Sequence, residues 1–307
     1  VIASRPVALR PRLAVALGDP RGIGPEVIRA ALTAAPLDAD IVAVGADEQV
    51  AGMPAIARLG VGSWRPGSGE RGAGEIAAES VRRAVTLALA GEVDAIVTGP
   101  VHKGALHAAG VRYPGLTELL GHLAGDVDTA MMLVADALRV VLVTTHVALR
   151  DVPAALTTER VVRVGRIAAA GLRRWWGLAA PRLALCALNP HAGEGGLFGD
   201  EDGRVLAPAA AALGAAGPLP ADTVFVRALR GEFDAVLAPY HDVGMTAVKV
   251  AGFGRGVNVT LGMPFVRTAP DHGTALDIAG QGKADAGSMR AALELAQSLV
   301  ARSKRQD

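Results

Sequence analysis

The chain has 307 residues, 51% hydrophobic and 20% charged, with 31 basic against 30 acidic side chains and a formal net charge of +1. That length calls for one large α/β unit or two domains. The apolar content excludes disorder as the overall state, and the balanced charge excludes the basic field that general nucleic-acid binding needs.

Aromatic residues make up only 3%, so the core is built from Ala, Val, Leu and Ile; of the basic residues only Lys103, Lys249, Lys283 and Lys304 are lysines. The single cysteine, Cys186, has no partner for an internal disulfide and sits in the apolar run Leu183–Leu188, where it reads as a buried, inert thiol. Val1–Leu13 holds no apolar signal-peptide core. The most apolar stretch, Ala130–Val143, contains Asp136 and Arg139 and is too short to span a bilayer. A cytoplasmic protein without a membrane or nucleic-acid partner is expected.

In chain order, Leu13–Leu17 reads as a buried strand ending at Gly18-Asp19-Pro20, and Pro25–Ala35 as a helix with proline at its start. Ile41–Val44 is the next strand. Gly74–Leu89 has apolar residues at helical spacing, and Ala95–Thr98 is a strand running into Gly99-Pro100. Val140–Thr144, Leu183–Leu188 and Ala235–Leu237 are further strands; Val161–Trp176, Leu206–Leu213 and Ser288–Ser303 are helices. This alternation predicts a mostly parallel sheet with helices on both faces. No internal repeat or long polar linker is visible, so a second domain would be inserted rather than appended.

The chemically unusual residues follow the carboxyl ends of the predicted strands, where open α/β sheets bind ligands. Gly18–Glu26 joins the first strand to the first helix and suits either an ordinary turn or an anion held on a helix N-terminus. Gly67–Gly72 matches G-x-G-x-x-G but follows Trp64-Arg65-Pro66 instead of a strand, and reads as a flexible surface loop. No P-loop sequence occurs. His146, His191 and His241 each follow an apolar strand. One such histidine is most often structural; three in equivalent places point to a metal site with open positions. His107 and His122 fall in predicted helices and read as solvated or core residues. Lys249, Arg255, Asn258 and Arg267 lie in a Gly-rich segment whose apolar residues Val250, Val257, Val259, Leu261 and Phe265 argue against a solvated loop and for a phosphate or carboxylate site. Asp271–Lys283 reads as a polar loop before the last helix, where a nucleotide has exposed backbone groups to lie on.

Five segments, Gly18–Glu26, Thr98–Glu118, Asn189–Gly196, Tyr240–Arg267 and Asp271–Asp285, resemble the 4-hydroxythreonine-4-phosphate dehydrogenase family in one register from Leu13 to the C-terminus. The segments near Gly18 and His272 are also similar to the wider isocitrate/isopropylmalate dehydrogenase superfamily. The resemblance implies two α/β/α domains with the active site in the cleft between them. Residues 1–115 plus 258–307 would form the nucleotide-binding domain, and 116–257 the inserted domain for metal, substrate and dimerisation. It implies a homodimer whose divalent metal is held by histidines of both chains, at positions matching His146, His191 and His241. Substrate contacts match Thr117, Lys249, Asn258 and Arg267. The NAD or NADP loop matches His272, Gly273, Thr274, Ala275, Asp277, Ile278 and Gly280. Two positions depart: Leu116 stands where the family usually has a substrate-contacting histidine, and Val243 where it usually has glutamine.

The implied reaction is metal-dependent, NAD-linked oxidation of 4-phosphooxy-threonine with decarboxylation to 3-amino-2-oxopropyl phosphate, in pyridoxal phosphate biosynthesis. The departures leave a threonate- or erythronate-type 4-phosphate as an alternative substrate, and a non-catalytic metabolite-binding relative as a rival of another class. The metal would supply Lewis acidity and the nicotinamide would take the hydride. Three imidazoles suit Zn²⁺ or Co²⁺, with Mg²⁺ keeping waters as the alternative. Lys103 reads as a proton shuttle or as one half of an ion pair, and Asp242 as an orienter of the neighbouring ligand.

Overall fold

A computed structural model describes residues 10–252 and 254–305. The segment read for a targeting signal therefore lies largely outside the described residues. The chain divides into two compact units, one running through Val127 and resuming at Met263, the other Asp128–Gly262. These limits differ from the 115/116 and 257/258 boundaries expected from the sequence: Leu116–Leu123 and its apolar neighbours pack into the first unit's core.

In the first unit, β1 (Arg12–Ala16), α1 (Gly24–Ala34), β2 (Asp40–Gly45), α2 (Asp47–Val50), β3 (Ala57–Gly60), α3 (Gly69–Leu89), β4 (Ala95–Thr98), α4 (Lys103–Ala108) and α5 (Leu116–Leu123) come first. The second unit follows with β5 (Ala130–Ala135), β6 (Leu138–Leu142), α6 (Val152–Ala155), α7 (Thr158–Trp176), β7 (Leu183–Cys186), α8 (Ala207–Leu213), β8 (Ala216–Leu219), α9 (Ala221–Leu229), β9 (Ala235–Ala238), α10 (His241–Gly252) and β10 (Val257–Leu261). The chain then returns to the first unit for β11 (Val266–Pro270) and α11 (Gly287–Ser303).

The first unit's strands run β3-β2-β1-β4-β11, all parallel, with Val15 opposite both Ala43 and Val97. β1 is buried along its whole length, because alternate side chains point to opposite faces and helices cover both. Ala14, Ala16, Val42, Val44 and Ile96 meet Ala77, Val81, Ala84 and Val85 of α3 on one face. α1 and α11 pack together, with α11 against β1, β4 and β11.

The second unit adds an antiparallel part to the mostly parallel pattern expected. β6-β9-β7-β8 are parallel, but β10-β5-β6 are antiparallel. The apolar stretch Ala130–Val143 is two strands joined by Asp136-Ala137, and so short a connection permits only a hairpin. α7 is the best-delimited helix. The Thr157 side chain accepts the Arg160 N–H at its start, and Gly177, at φ 69°, ends it in the left-handed conformation.

Two further expectations change. Gly67–Gly72 is not a flexible loop: a 3-10 turn over Pro66–Ser68 leads into α3 at Gly69, with the Ser68 hydroxyl accepting the Arg65 N–H at 3.1 Å. The Gly-rich segment Lys249–Arg267 is not one region. It comprises the last turn of α10, then β10, then β11. Glycines between short apolar runs mark strand ends here.

Candidate active site

Parallel pairing puts two of the three strand-end histidines side by side. Leu142 of β6 is opposite Ala238 of β9. Beyond the strands, the Val143 N–H donates to the Ala238 carbonyl at 2.9 Å and the Thr144 hydroxyl to the Pro239 carbonyl at 2.8 Å. His146, at φ 50°, and His241, the first residue of α10, then face each other with ring centroids 5.6 Å apart. Two imidazoles sharing one ion at Zn–N distances near 2.0–2.1 Å would have centroids about 5 Å apart, so the pair fits a divalent metal. Asp242 Oδ1 lies 2.6 Å from His241 Nδ1, a contact that orients the ring and turns Nε2 to the other side.

His191 is presented differently. Residues 191–195 all have positive φ, forming a left-handed turn that includes the non-glycine residues His191 (52°), Ala192 (56°) and Glu194 (42°). Each such residue costs roughly 1–2 kcal/mol. The turn is held by Asp202, whose carboxylate is 1% exposed and accepts the N–H groups of Leu188 (2.8 Å) and Asn189 (3.0 Å). The Asn189 amide donates to Glu201 Oε2 at 2.8 Å. Such strain, held by hydrogen bonds to a buried carboxylate, concentrates at functional sites. His191 itself is exposed, as are its neighbours Leu197 (73%) and Phe198 (45%), and Leu149 (67%) after His146. Among the described residues, no group of three His, Cys, Asp or Glu side chains is placed to hold a metal ion.

The residues expected to grip an anion differ in burial. Arg267 on β11 is 3% exposed and donates to the Thr98 hydroxyl at 2.6 Å. Burial pushes its pKa down to about 10, which leaves it a cation at neutral pH. Thr117, in the first turn of α5, is buried. Asn258 on β10 is half-buried, and its Oδ1 is buried without a hydrogen-bonding partner, as an acceptor shaped for a ligand would be. Lys249 is exposed on the last turn of α10. The two departures from the family pattern are both packed into apolar surroundings: Leu116 against the first unit's core and Val243 against the second's.

The loop after β11 is tied to the turn after β1. The Ile23 N–H donates to the Thr274 carbonyl at 2.9 Å, and the Gly280 N–H to Glu26 Oε2 at 3.0 Å. A Cβ on Gly22 would sit 2.7 Å from the Thr274 carbonyl oxygen, so glycine is what lets these two backbones approach. His272 Nδ1 contacts the Gly273 carbonyl at 3.1 Å, Ala275 has φ 40°, and Gly280 has φ 75°. Gly273 and Asp277 are exposed and Ile278 is half-buried. His272 Nε2 and Glu26 Oε1 are buried without hydrogen-bonding partners. Two such orphaned atoms beside one loop fit a polar ligand such as a dinucleotide.

Sequence reasoning missed a polar chain at the ends of β1 and β4. Asp19 is fully buried and binds Arg21 through both carboxylate oxygens, at 3.0 and 2.8 Å. This hydrogen-bonded pairing raises the Arg21 pKa. Arg21 Nη2 lies 3.8 Å from Glu70 Oε1, which lies 3.1 Å from His102 Nδ1. The same nitrogen is 3.3 Å from the Ala105 N–H at the start of α4. The signals were present in Gly18–Glu26 and in His102 beside Lys103, but Glu70 lay in a motif read as a loop. Lys103 next door is exposed and forms no ion pair among the described residues, so the ion-pair reading of it finds no partner.

Residues 15–296 match the family described as "Pyridoxal phosphate biosynthetic protein PdxA". A 4-hydroxythreonine-4-phosphate dehydrogenase of Geobacter metallireducens is 42% identical, over 95% of this chain and 96% of its own. A D-threonate 4-phosphate dehydrogenase of Salmonella typhimurium is 44% identical, over 94% of this chain and 98% of its own. The crystal structure of a 4-hydroxythreonine-4-phosphate dehydrogenase from Klebsiella pneumoniae, 41% identical, superposes with a TM-score of 0.85, covering 96% of this chain and 99% of that one. The chain is thus an oxidoreductase of the dehydrogenase class, acting on a CH–OH group, with the fold of the solved 4-hydroxythreonine-4-phosphate dehydrogenase. It belongs to the PdxA family.

Proposed function

We propose that this chain oxidises the secondary alcohol of a 4-phosphorylated four-carbon hydroxy acid, with NAD or NADP as acceptor and loss of CO₂, and that 4-phosphooxy-threonine is the substrate, yielding 3-amino-2-oxopropyl phosphate. The observation that carries this reading is the His146–His241 pair at the ends of adjacent parallel strands, with Asp242 orienting one ring. Kinship with dehydrogenases of 4-phosphorylated acids supports the substrate class.

His146 and His241 would hold the metal, with His191 supplied by a second copy in a homodimer. The exposed Leu149, Leu197 and Phe198 near these histidines give that copy an apolar surface to cover. A bound divalent ion, Zn²⁺, Co²⁺ or Mg²⁺, would supply Lewis acidity to the alcohol and to the carbonyl formed from it. Lys249, Asn258, Thr117 and Arg267 bind the phosphate and carboxylate, Arg267 as a cation held in place by Thr98. The loop His272–Gly280 orients the dinucleotide. Lys103, exposed and without an ion pair among the described residues, would move a proton to or from solvent.

The second reading, a threonate- or erythronate-type 4-phosphate, is favoured by Leu116. An aliphatic side chain gives no hydrogen bond to the amine that sets 4-phosphooxy-threonine apart. Reduced dinucleotide formation measured across a panel of 4-phosphorylated hydroxy acids, after chelation and re-addition of Zn²⁺, Co²⁺ or Mg²⁺, tests both. Turnover of 4-phosphooxy-threonine that needs added metal is expected. Full turnover in the chelated protein would overturn the metal assignment, and turnover of threonate 4-phosphate alone would give the second reading.

A further inference from the structure

Between β11 and α11 the chain forms no helix or strand, and the turn after β1 moors this loop at two points. One mooring is a backbone bond, from the Ile23 N–H to the Thr274 carbonyl. The other is a side chain: Glu26 Oε2 accepts the Gly280 N–H at 3.0 Å, joining residues 254 apart in sequence. Ile23 and Glu26, three residues apart at the start of α1, share one face of the helix toward the loop.

One carboxylate oxygen suffices for the mooring. The other, Oε1, is buried and meets no hydrogen-bonding group among the described residues. Leaving a carboxylate oxygen dry and unmatched is unfavourable. His272 Nε2, near the other end of the loop, is in the same condition. A carboxylate only accepts, so its match is a donor, and its charge repels phosphate. The donors that the adenosine half of a dinucleotide offers are the exocyclic amine and the ribose hydroxyls.

We propose that Glu26 binds the cofactor as well as the loop, Oε2 holding Gly280 and Oε1 accepting a hydrogen bond from the adenosine half of the dinucleotide. This rests on the reading of His272–Gly280 as the dinucleotide loop.

Glu26→Gln isolates the second oxygen. Its amide oxygen still accepts the Gly280 N–H, while its NH₂ sets a donor where the carboxylate offered an acceptor. NAD and NADP are titrated into the full chain, and steady-state constants are measured with the phosphorylated acid. Both Glu26→Gln and Glu26→Ala are expected to weaken dinucleotide binding about tenfold. The kcat at saturating dinucleotide and the KM for the acid are expected to stay near wild type, and Glu26→Gln to keep the wild-type melting temperature.

A dinucleotide carrying hypoxanthine in place of adenine separates the two donors. Weaker binding to wild type, with the difference abolished in Glu26→Gln, assigns the contact to the amine. Equal binding assigns it to a ribose hydroxyl. Dinucleotide affinity unchanged in Glu26→Gln would overturn the contact. So would losses in both KM values and kcat that track a lowered melting temperature, because those mark a structural role alone. A wild-type chain that binds neither NAD nor NADP would remove the dinucleotide reading of the loop and this contact with it.

Discussion

The loop after β11 and the histidine edge of the second unit solve the same problem, holding irregular backbone at strand ends, by opposite means. The loop is moored from within its own unit by Ile23, Glu26 and the close approach of Gly22. Its one non-glycine residue at positive φ is Ala275. The histidine edge places His146 and three non-glycine residues of the Asn189–Gly196 turn at positive φ and leaves His191, Leu149, Leu197 and Phe198 exposed. A moored loop is ready within one chain. A strained, exposed turn with apolar neighbours is built to be completed by something else, and in the proposed reading that is a second copy.

The largest expected effect tests that contrast directly. His191→Ala and His241→Ala are each expected to lower metal-dependent turnover by roughly 10³-fold. Mixed and allowed to exchange subunits, the two inactive proteins should recover about a quarter of wild-type activity, because half of the dimers are mixed and each of those carries one intact site. No recovery would mean that the histidines act within one chain. Asp242→Asn removes the charge that orients His241 and is expected to weaken metal affinity 10–100-fold, as measured by competition with a chromophoric chelator. Unchanged affinity would leave the 2.6 Å contact without a role at the metal.

Leu116→His is expected to shift preference toward 4-phosphooxy-threonine by about tenfold in kcat/KM, the worth of one added hydrogen bond to a charged group. Equal loss on every substrate would show instead that Leu116 serves the core it packs against. Ala192→Gly relieves a left-handed alanine and is expected to stabilise the chain by about 1 kcal/mol, read from chemical denaturation. Destabilisation would mean that the turn is not strained in solution. The smallest effect concerns Cys186, whose pKa burial and Asp202 push up to about 12. At pH 8 only about one thiol in 10⁴ would be ionised, so the folded chain should resist alkylation until unfolded.

Much of the site was legible because its residues are tied to strand ends. Leu13–Leu17, Ile41–Val44, Ala95–Thr98 and Ala235–Leu237 all fall on strands, extended or trimmed by a residue or two at their ends. A short apolar run followed by Gly, Pro or His is a strong signal in a buried parallel strand. β5, β10 and β11 were harder. The hairpin hid inside one apolar stretch, and the Gly-rich run over Lys249–Arg267 masked a helix end and two strands. The Asp19–Arg21–Glu70–His102 chain was illegible for a different reason: its members come from three separate segments, and no local pattern announces which side chains will meet.

By itself the sequence determined the α/β class, the positions of most strands and the set of strand-end histidines, because apolar periodicity and turn chemistry are local properties. Only the tertiary structure decided that His146 and His241 face each other while His191 stands apart, and that Glu26 reaches Gly280 with one oxygen and buries the other. Those outcomes depend on which strands become neighbours and in what register, and that is settled by the packing of the whole core rather than by any single segment.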